Sequence, residues 1–214
     1  MKQTIFIAII AVAAFTLAAC NILPTADKRQ TADNKNNDAP KTAVELLTDG
    51  LYTVDQASSQ IVWQATKISA KHTGLISLKS GELKVESGKI SSASFIVDMT
   101  TISSNENLSG LVQHLKGPDF FDVTVYPEAK LIIKSTRVGT RAGEYFMDGE
   151  LTIKDVSAPI ELTAEIKTAG INLEAQSTIS LDRTKWNIKY LSGNIFKDLG
   201  DKAIDDTINF TVSI

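Results

Sequence analysis

PIELTAEIKTAGINLEAQSTISL, residues 159–181, alternates apolar and polar side chains with little interruption. Ile160, Leu162, Ala164 and Ile166 fall on one face of an extended chain, and Glu161, Thr163, Glu165 and Lys167 fall on the other. That spacing belongs to a strand with one buried face. After Thr168-Ala169-Gly170, a connection suited to a hairpin, Ile171, Leu173, Ala175, Ile179 and Leu181 alternate with Asn172, Glu174, Gln176, Thr178 and Ser180.

The same period runs outward in both directions. Ile208, Phe210, Val212 and Ile214 repeat it at the end of the chain. Less regular strands are predicted over residues 60–68, 75–86, 89–99, 129–138 and 144–154, with Gly81, Gly88, Gly139, Gly143 and Gly149 as turns, bulges or bends. One segment departs from the rule. Leu108, Leu111, Val112 and Leu115 recur at helical spacing within residues 107–116, and Gly117-Pro118 stops them. Eight or nine antiparallel strands with almost no helix to cover a sheet leave a closed barrel or a two-sheet sandwich. The expected fold is all-β: a single antiparallel barrel of about eight strands with a short helix at one end. A barrel of that size encloses side chains or one small ligand.

The first residues have a different logic. Lys2, the apolar run from Ile5 to Leu17 and the small pair Ala18-Ala19 form a secretory leader over residues 1–19. Leu17-Ala18-Ala19-Cys20 resembles a bacterial lipobox, which makes Cys20 the expected site of acylation and the chain a lipoprotein of the cell envelope. Asn21 after the cysteine favours the outer membrane. More than one acyl chain gives stable anchoring, at ~0.8 kcal/mol per buried methylene. Cys20 is the single cysteine, so no disulfide forms within the chain. Residues 20–50 are polar, lack aromatics before Leu51 and carry Pro24 and Pro40, so a flexible tether of about 30 Å reach is expected. Val44-Glu45-Leu46-Leu47 is either a helical turn or the sticky end of that tether. One domain, residues 51–214, remains.

The 43% hydrophobic and 22% charged composition is that of an ordinary globular chain, and a net charge of −3 without basic clusters argues against nucleic-acid binding.

Several blocks carry a family resemblance: residues 63–67 followed by His72-Thr73-Gly74, then Ser80-Gly81-Glu82-Leu83, then Val97-Asp98-Met99-Thr100-Thr101-Ile102. His114-Leu115-Lys116-Gly117-Pro118-Asp119-Phe120-Phe121-Asp122-Val123 with Tyr126-Pro127 is the most distinctive. Gly149-Glu150-Leu151-Thr152-Ile153-Lys154 with Ala158-Pro159-Ile160, and Asp182-Arg183-Thr184-Lys185-Trp186-Asn187, complete the set. Together they resemble the YceI-like family, across nearly all of residues 51–214. Asp155 and Asn187 depart from glycines frequent in that pattern. The resemblance implies a lipocalin-like barrel that binds a polyisoprenoid or similar long-chain amphiphile, without catalysis and without a cofactor.

A tunnel for such a ligand gains ~25 cal/mol per Å² of apolar surface covered. Trp63, Phe95, Leu111, Leu115, Phe120, Phe121, Phe146 and Trp186 are the candidates for its walls or lid, the alternative for each being an ordinary core position. His72 and His114, the two histidines of the chain, are candidate polar contacts for a head group. No serine sits in a Gly-x-Ser-x-Gly elbow, and Asp198, Asp201, Asp205 and Asp206 lack calcium-loop spacing, so neither catalysis nor a metal site is expected. Two alternatives stand beside the carrier: a membrane-spanning barrel with its apolar face toward lipid, and a ligand-free structural or adhesion module. An exposed strand edge also leaves room for a homodimer.

Overall fold

The computed structural model describes residues 46–214, so the leader, Cys20 and nearly all of the tether lie outside the described residues. Nine strands form one antiparallel sheet: β1 (Gly50–Thr53), β2 (Gln60–Lys67), β3 (Ala70–Glu86), β4 (Lys89–Asp98), β5 (Glu128–Val138), β6 (Glu144–Ile153), β7 (Val156–Ala169), β8 (Asn172–Asp182) and β9 (Ile204–Ser213). Their order is β1-β3-β2-β9-β8-β7-β6-β5-β4, and β4 pairs back onto β3. Strands β2–β9 thereby close an eight-stranded barrel, and β1 adds to the free length of β3 through Gly50–Val85 to Thr53–Glu82. The helix α1 (Ser109–Lys116) lies in the β4–β5 connection and, with the β8–β9 connection, covers one end.

Alternation decides which face turns inward. On β7, Ile160, Ala164 and Ile166 are buried while Glu161, Glu165 and Lys167 are exposed. The apolar side faces the lumen and the charged side faces out, the reverse of a membrane-spanning barrel. Among the described residues no helix is long and apolar enough to cross a membrane.

Four local readings change. Ile171 is 92% exposed instead of facing inward, because Ala169 pairs with Asn172 and the two residues between them make the turn, Gly170 supplying φ +66°. Strand β3 begins at Ala70, not at residue 75: His72-Thr73-Gly74 interrupts the apolar pattern yet stays in register with Gln64 and Trp63. Asn107, with φ +55°, lies ahead of the helix rather than in it. The short β1 shows no sequence period at all. It is fixed from behind by Leu47, 5% exposed among Val85, Ile90, Tyr145 and Ile166, and by the Asp49 carboxylate, which accepts the N–H groups of Ser87 (3.0 Å) and Gly88 (2.7 Å). The barrel therefore grips the chain ahead of Leu51.

The β5–β6 turn is built around one carboxylate. Glu144 accepts the N–H of Thr140 at 2.8 Å and the Arg141 guanidinium at 3.0 and 2.6 Å. Hydrogen bonding from Arg141, then from the Thr140 backbone, holds its pKa at about 2, against 4.5 for an unconstrained glutamate. The folded state keeps this group ionised where the unfolded chain protonates it. Its stabilisation is therefore complete above pH 4.5 and is lost as pH falls toward 2. Urea midpoints measured through that window should fall less steeply for Glu144→Gln than for the parent.

Candidate functional site

Inside the barrel is an elongated cavity of about 200 Å³. Apolar cavities of ~150 Å³ stay dry and take up benzene, and this one has a comparable volume and an almost wholly apolar lining. Along β8 it extends from Ala175 to Leu181, about 20 Å at ~3.3 Å per residue.

Its walls follow from strand registers. Trp63 on β2 faces Gly74 on β3, and the indole lies against the bare glycine backbone while Nε1 donates to the Ser103 carbonyl at 3.0 Å. Gly81 on β3 faces Phe95 on β4 and gives that ring room to lie along the wall, since a Cβ there would stand 2.5 Å from it. Phe95, Leu131 and Leu162 pack against both halves of the core and form the waist of the cavity. At the covered end, Leu115 of α1 and the following Phe120 and Phe121 close the lumen. Hydrogen bonds from Phe121 N–H to Leu115 and from Phe120 and Asp122 N–H to Gly117 fold that loop back over the barrel.

Five of the eight wall candidates, Trp63, Phe95, Leu115, Phe120 and Phe121, line the cavity. Leu111 packs behind them, half-buried against the core. Trp186 is 1% exposed and gives its Nε1–H to the Leu151 carbonyl at 2.8 Å, which makes it a core plug at the covered end. Phe146 stands on the outer face of β6, beneath the Arg137 guanidinium at 5.9 Å, because Met147 takes the inward position. Sequence reasoning missed the aliphatic majority of the wall, including Ile76, Leu78, Met99, Leu131 and Ile208, although the period-two pattern already places most of them on the apolar face.

The two histidines stand apart from that wall. His114 on α1 contacts Asp119 through Nε2 at 3.1 Å and meets the rings of Phe120 and Tyr190 edge-on. His72 has a buried Nδ1 with no hydrogen bond, 3.9 Å from Glu106 Oε2. Neither lines the cavity. Among the described residues no cluster of three metal-ligating side chains occurs. The lining is apolar apart from Gln176, Ser177, Arg183 and Asp205.

Arg183 is the one cationic residue of the lining, yet each of its nitrogens is turned to a partner within the fold. Nε donates to the Asp205 carbonyl, Nη1 to the Ile188 and Tyr190 carbonyls and Nη2 to the Ile204 carbonyl, while Asp206 Oδ1 stands 3.1 Å from Nη2 as an ion pair. It is 2% exposed and fastens the β8–β9 connection to the barrel.

Comparison with known proteins agrees with this architecture. The solved structure of Burkholderia cenocepacia BcnA superposes with a TM-score of 0.62 at 19% identity, covering 75% of this chain and 97% of that one. A polyisoprenoid binding domain from Saccharophagus degradans, implicated in plant cell wall breakdown, superposes at 0.57 with 10% identity, covering 78% and 97%. These likenesses show a shared fold. A UPF0312 protein of Photorhabdus laumondii is 38% identical over 91 residues, 42% of this chain and 46% of that protein. A UPF0312 protein of Pseudomonas putida is 28% identical over 138 residues, 63% and 67% respectively. The strongest of these matches thus spans about half the length of the relative. Residues 52–214 match the model of the YceI-like domain, from within β1 through all eight strands of the closed barrel, and the chain belongs to the YceI-like family.

Proposed function

We propose that the protein binds and carries a long apolar amphiphile, an isoprenoid or isoprenoid quinone, within its barrel, and that it does so in the bacterial envelope, held to a membrane by acylated Cys20. The observation that carries this reading is the cavity itself: an eight-stranded barrel whose lumen is lined by aliphatic and aromatic side chains over about 20 Å. A uniformly apolar chain is held by area rather than by polar contacts, at ~25 cal/mol per Å² before ordering and association costs. The polyisoprenoid-binding domain with the same fold supports the ligand class. The Leu-Ala-Ala-Cys sequence supports the anchor.

The unit Lys41–Ile214 contains every described strand ladder and both halves of the core, so it holds what folding requires. It should bind cis-parinaric acid with a rise in fluorescence, and geranylgeraniol should displace it. Ala164, 5% exposed and lining the cavity, offers a way to fill the lumen. Ala164→Trp should weaken uptake by about tenfold or more while leaving the strand signal in circular dichroism intact. Equal uptake by the filled variant would overturn the assignment of the lumen as the binding site. Mass spectrometry of the lipid extracted with the native lipoprotein would identify the ligand.

A further inference from the structure

The barrel wall has a seam. Strands β7 and β8 are hydrogen-bonded from Ala169–Asn172 to Ala164–Ser177, and the ladder stops there. Beyond that point residues 156–163 of β7 pair with β6 alone, and residues 178–182 of β8 pair with β9 alone. The Ser177 hydroxyl, donating to the Thr163 carbonyl at 2.8 Å, marks the fork. Toward the covered end the fork is filled by Trp186, whose indole reaches the Leu151 carbonyl.

Between the fork and that indole a groove lies on the outer surface. Its polar margins are Arg137, Asp148, Glu161, Thr163, Thr178 and Ser180. Its floor is Met147, Leu162 and Ile179, and these same three residues line the cavity inside. Met147 and Leu162 are paired across β6 and β7, but no ladder rung joins Leu162 to Ile179, so between those two side chains a single aliphatic layer separates the outer groove from the lumen. The β4–β5 ladder is as short, six pairs from Ala93–Ile133 to Asp98–Glu128, so what marks the β7–β8 fork is the groove whose floor is shared with the cavity; the covered end is sealed by Phe120, Phe121, Trp186 and Ile188.

We propose that the β7–β8 seam is the portal of the cavity: the apolar tail passes between Leu162 and Ile179, and the polar head stays in the outer groove among Arg137, Thr163, Thr178 and Ser180. The inference rests on the binding role proposed above and adds the route. Passage through a side seam moves two side chains, whereas passage through the covered end has to unpack α1 and its loop.

Thr163 and Thr178 are the pair immediately beyond the last rung, both on the outer face, so a disulfide placed there would zip the seam. The Lys41–Ile214 unit lacks Cys20 and has no other thiol. With Thr163→Cys and Thr178→Cys together, oxidation should slow both entry and release of cis-parinaric acid by about tenfold, and reduction should restore both rates. If air oxidation leaves the thiols free, a short bis-maleimide linking the same two residues makes the same closure. Ile179→Ala, which thins the floor, should speed both rates in the unlinked protein. Equal rates in the linked and unlinked forms would overturn the portal while leaving the binding role standing. Absence of probe uptake in the parent, linked and unlinked alike, would overturn the binding role and the portal with it.

Discussion

Gly74→Ala is expected to destabilise the barrel by about 3–5 kcal/mol and to lower its melting temperature by about 10 °C. A Cβ at this position would stand 1.8 Å from the Ser103 carbonyl oxygen and 2.6 Å from two atoms of the Trp63 indole. Neither neighbour has freedom to retreat. The Ser103 backbone is held by its N–H bond to the Leu75 carbonyl and accepts the Trp63 Nε1–H, while the indole is packed into the core at 4% exposure. Relief would require the 102–106 segment to lift off β3, exposing Ile102 and the edge of the cavity. Gly110→Ala is the natural comparison, because a Cβ there meets nothing within 4 Å and alanine favours the helix by ~1 kcal/mol. Thermal and urea denaturation of the two variants should therefore move in opposite directions. A melting temperature for Gly74→Ala within a degree or two of the parent would mean that the close contact between the β2–β3 pair and the 102–106 segment is not maintained in solution.

Gly74 also shows how far a sequence reveals such a site. The period-two pattern is an energetic signature: each side chain of β7 and β9 faces either lumen or solvent, and a slip of one residue would reverse every one of them. Strands with one apolar and one polar face were therefore legible from residues such as Ile160, Ala164 and Ile208, whereas the pattern by itself left barrel or sandwich, and the direction of the apolar face, to the structure. Positions set by contact across distant segments were not. Phe146 and Met147 are both large and apolar and lie side by side in the chain, and only the register of β6 against β5 and β7 assigns Met147 to the lumen and Phe146 to the surface. Trp186 carried the chemistry expected of a wall residue but sits on the turn after β8, where it fills the end of the barrel. Strand β1 left no trace, because four residues held by the far half of β3 and by Leu47 need no alternation of their own. The seam was likewise hidden: Thr163 and Thr178 continue the alternation unbroken, so the side-chain pattern persists where the backbone ladder ends.

The second large effect is expected at Arg183, and it separates a structural clamp from a ligand contact. Burial pushes the guanidinium pKa down, opposed by the nearby Asp206, Asp182 and Asp205 carboxylates, and four carbonyls accept its N–H groups while Asp206 pairs with its charge at 3.1 Å. Asp206 completes the cluster: its other oxygen takes the Ser192 hydroxyl and the Asn194 amide, both at 2.8 Å, and Ser192 is fully buried. Arg183→Met would leave four carbonyls and a buried carboxylate without this partner, a loss of about 3–5 kcal/mol. Arg183→Lys should recover only part of that, since an ammonium offers three donors on a flexible stem in place of a planar five-donor fork. In a double-mutant cycle Arg183→Met and Asp206→Asn should cost less together than the sum of the two, because the second change removes the orphaned charge left by the first. The ligand provides the decisive contrast. If every donor of Arg183 serves the fold, the folded fraction of Arg183→Lys binds cis-parinaric acid with the affinity of the parent. If the guanidinium instead held a carboxylate head group, affinity would fall in step with stability, and it would fall for the acid while sparing an uncharged competitor such as geranylgeraniol.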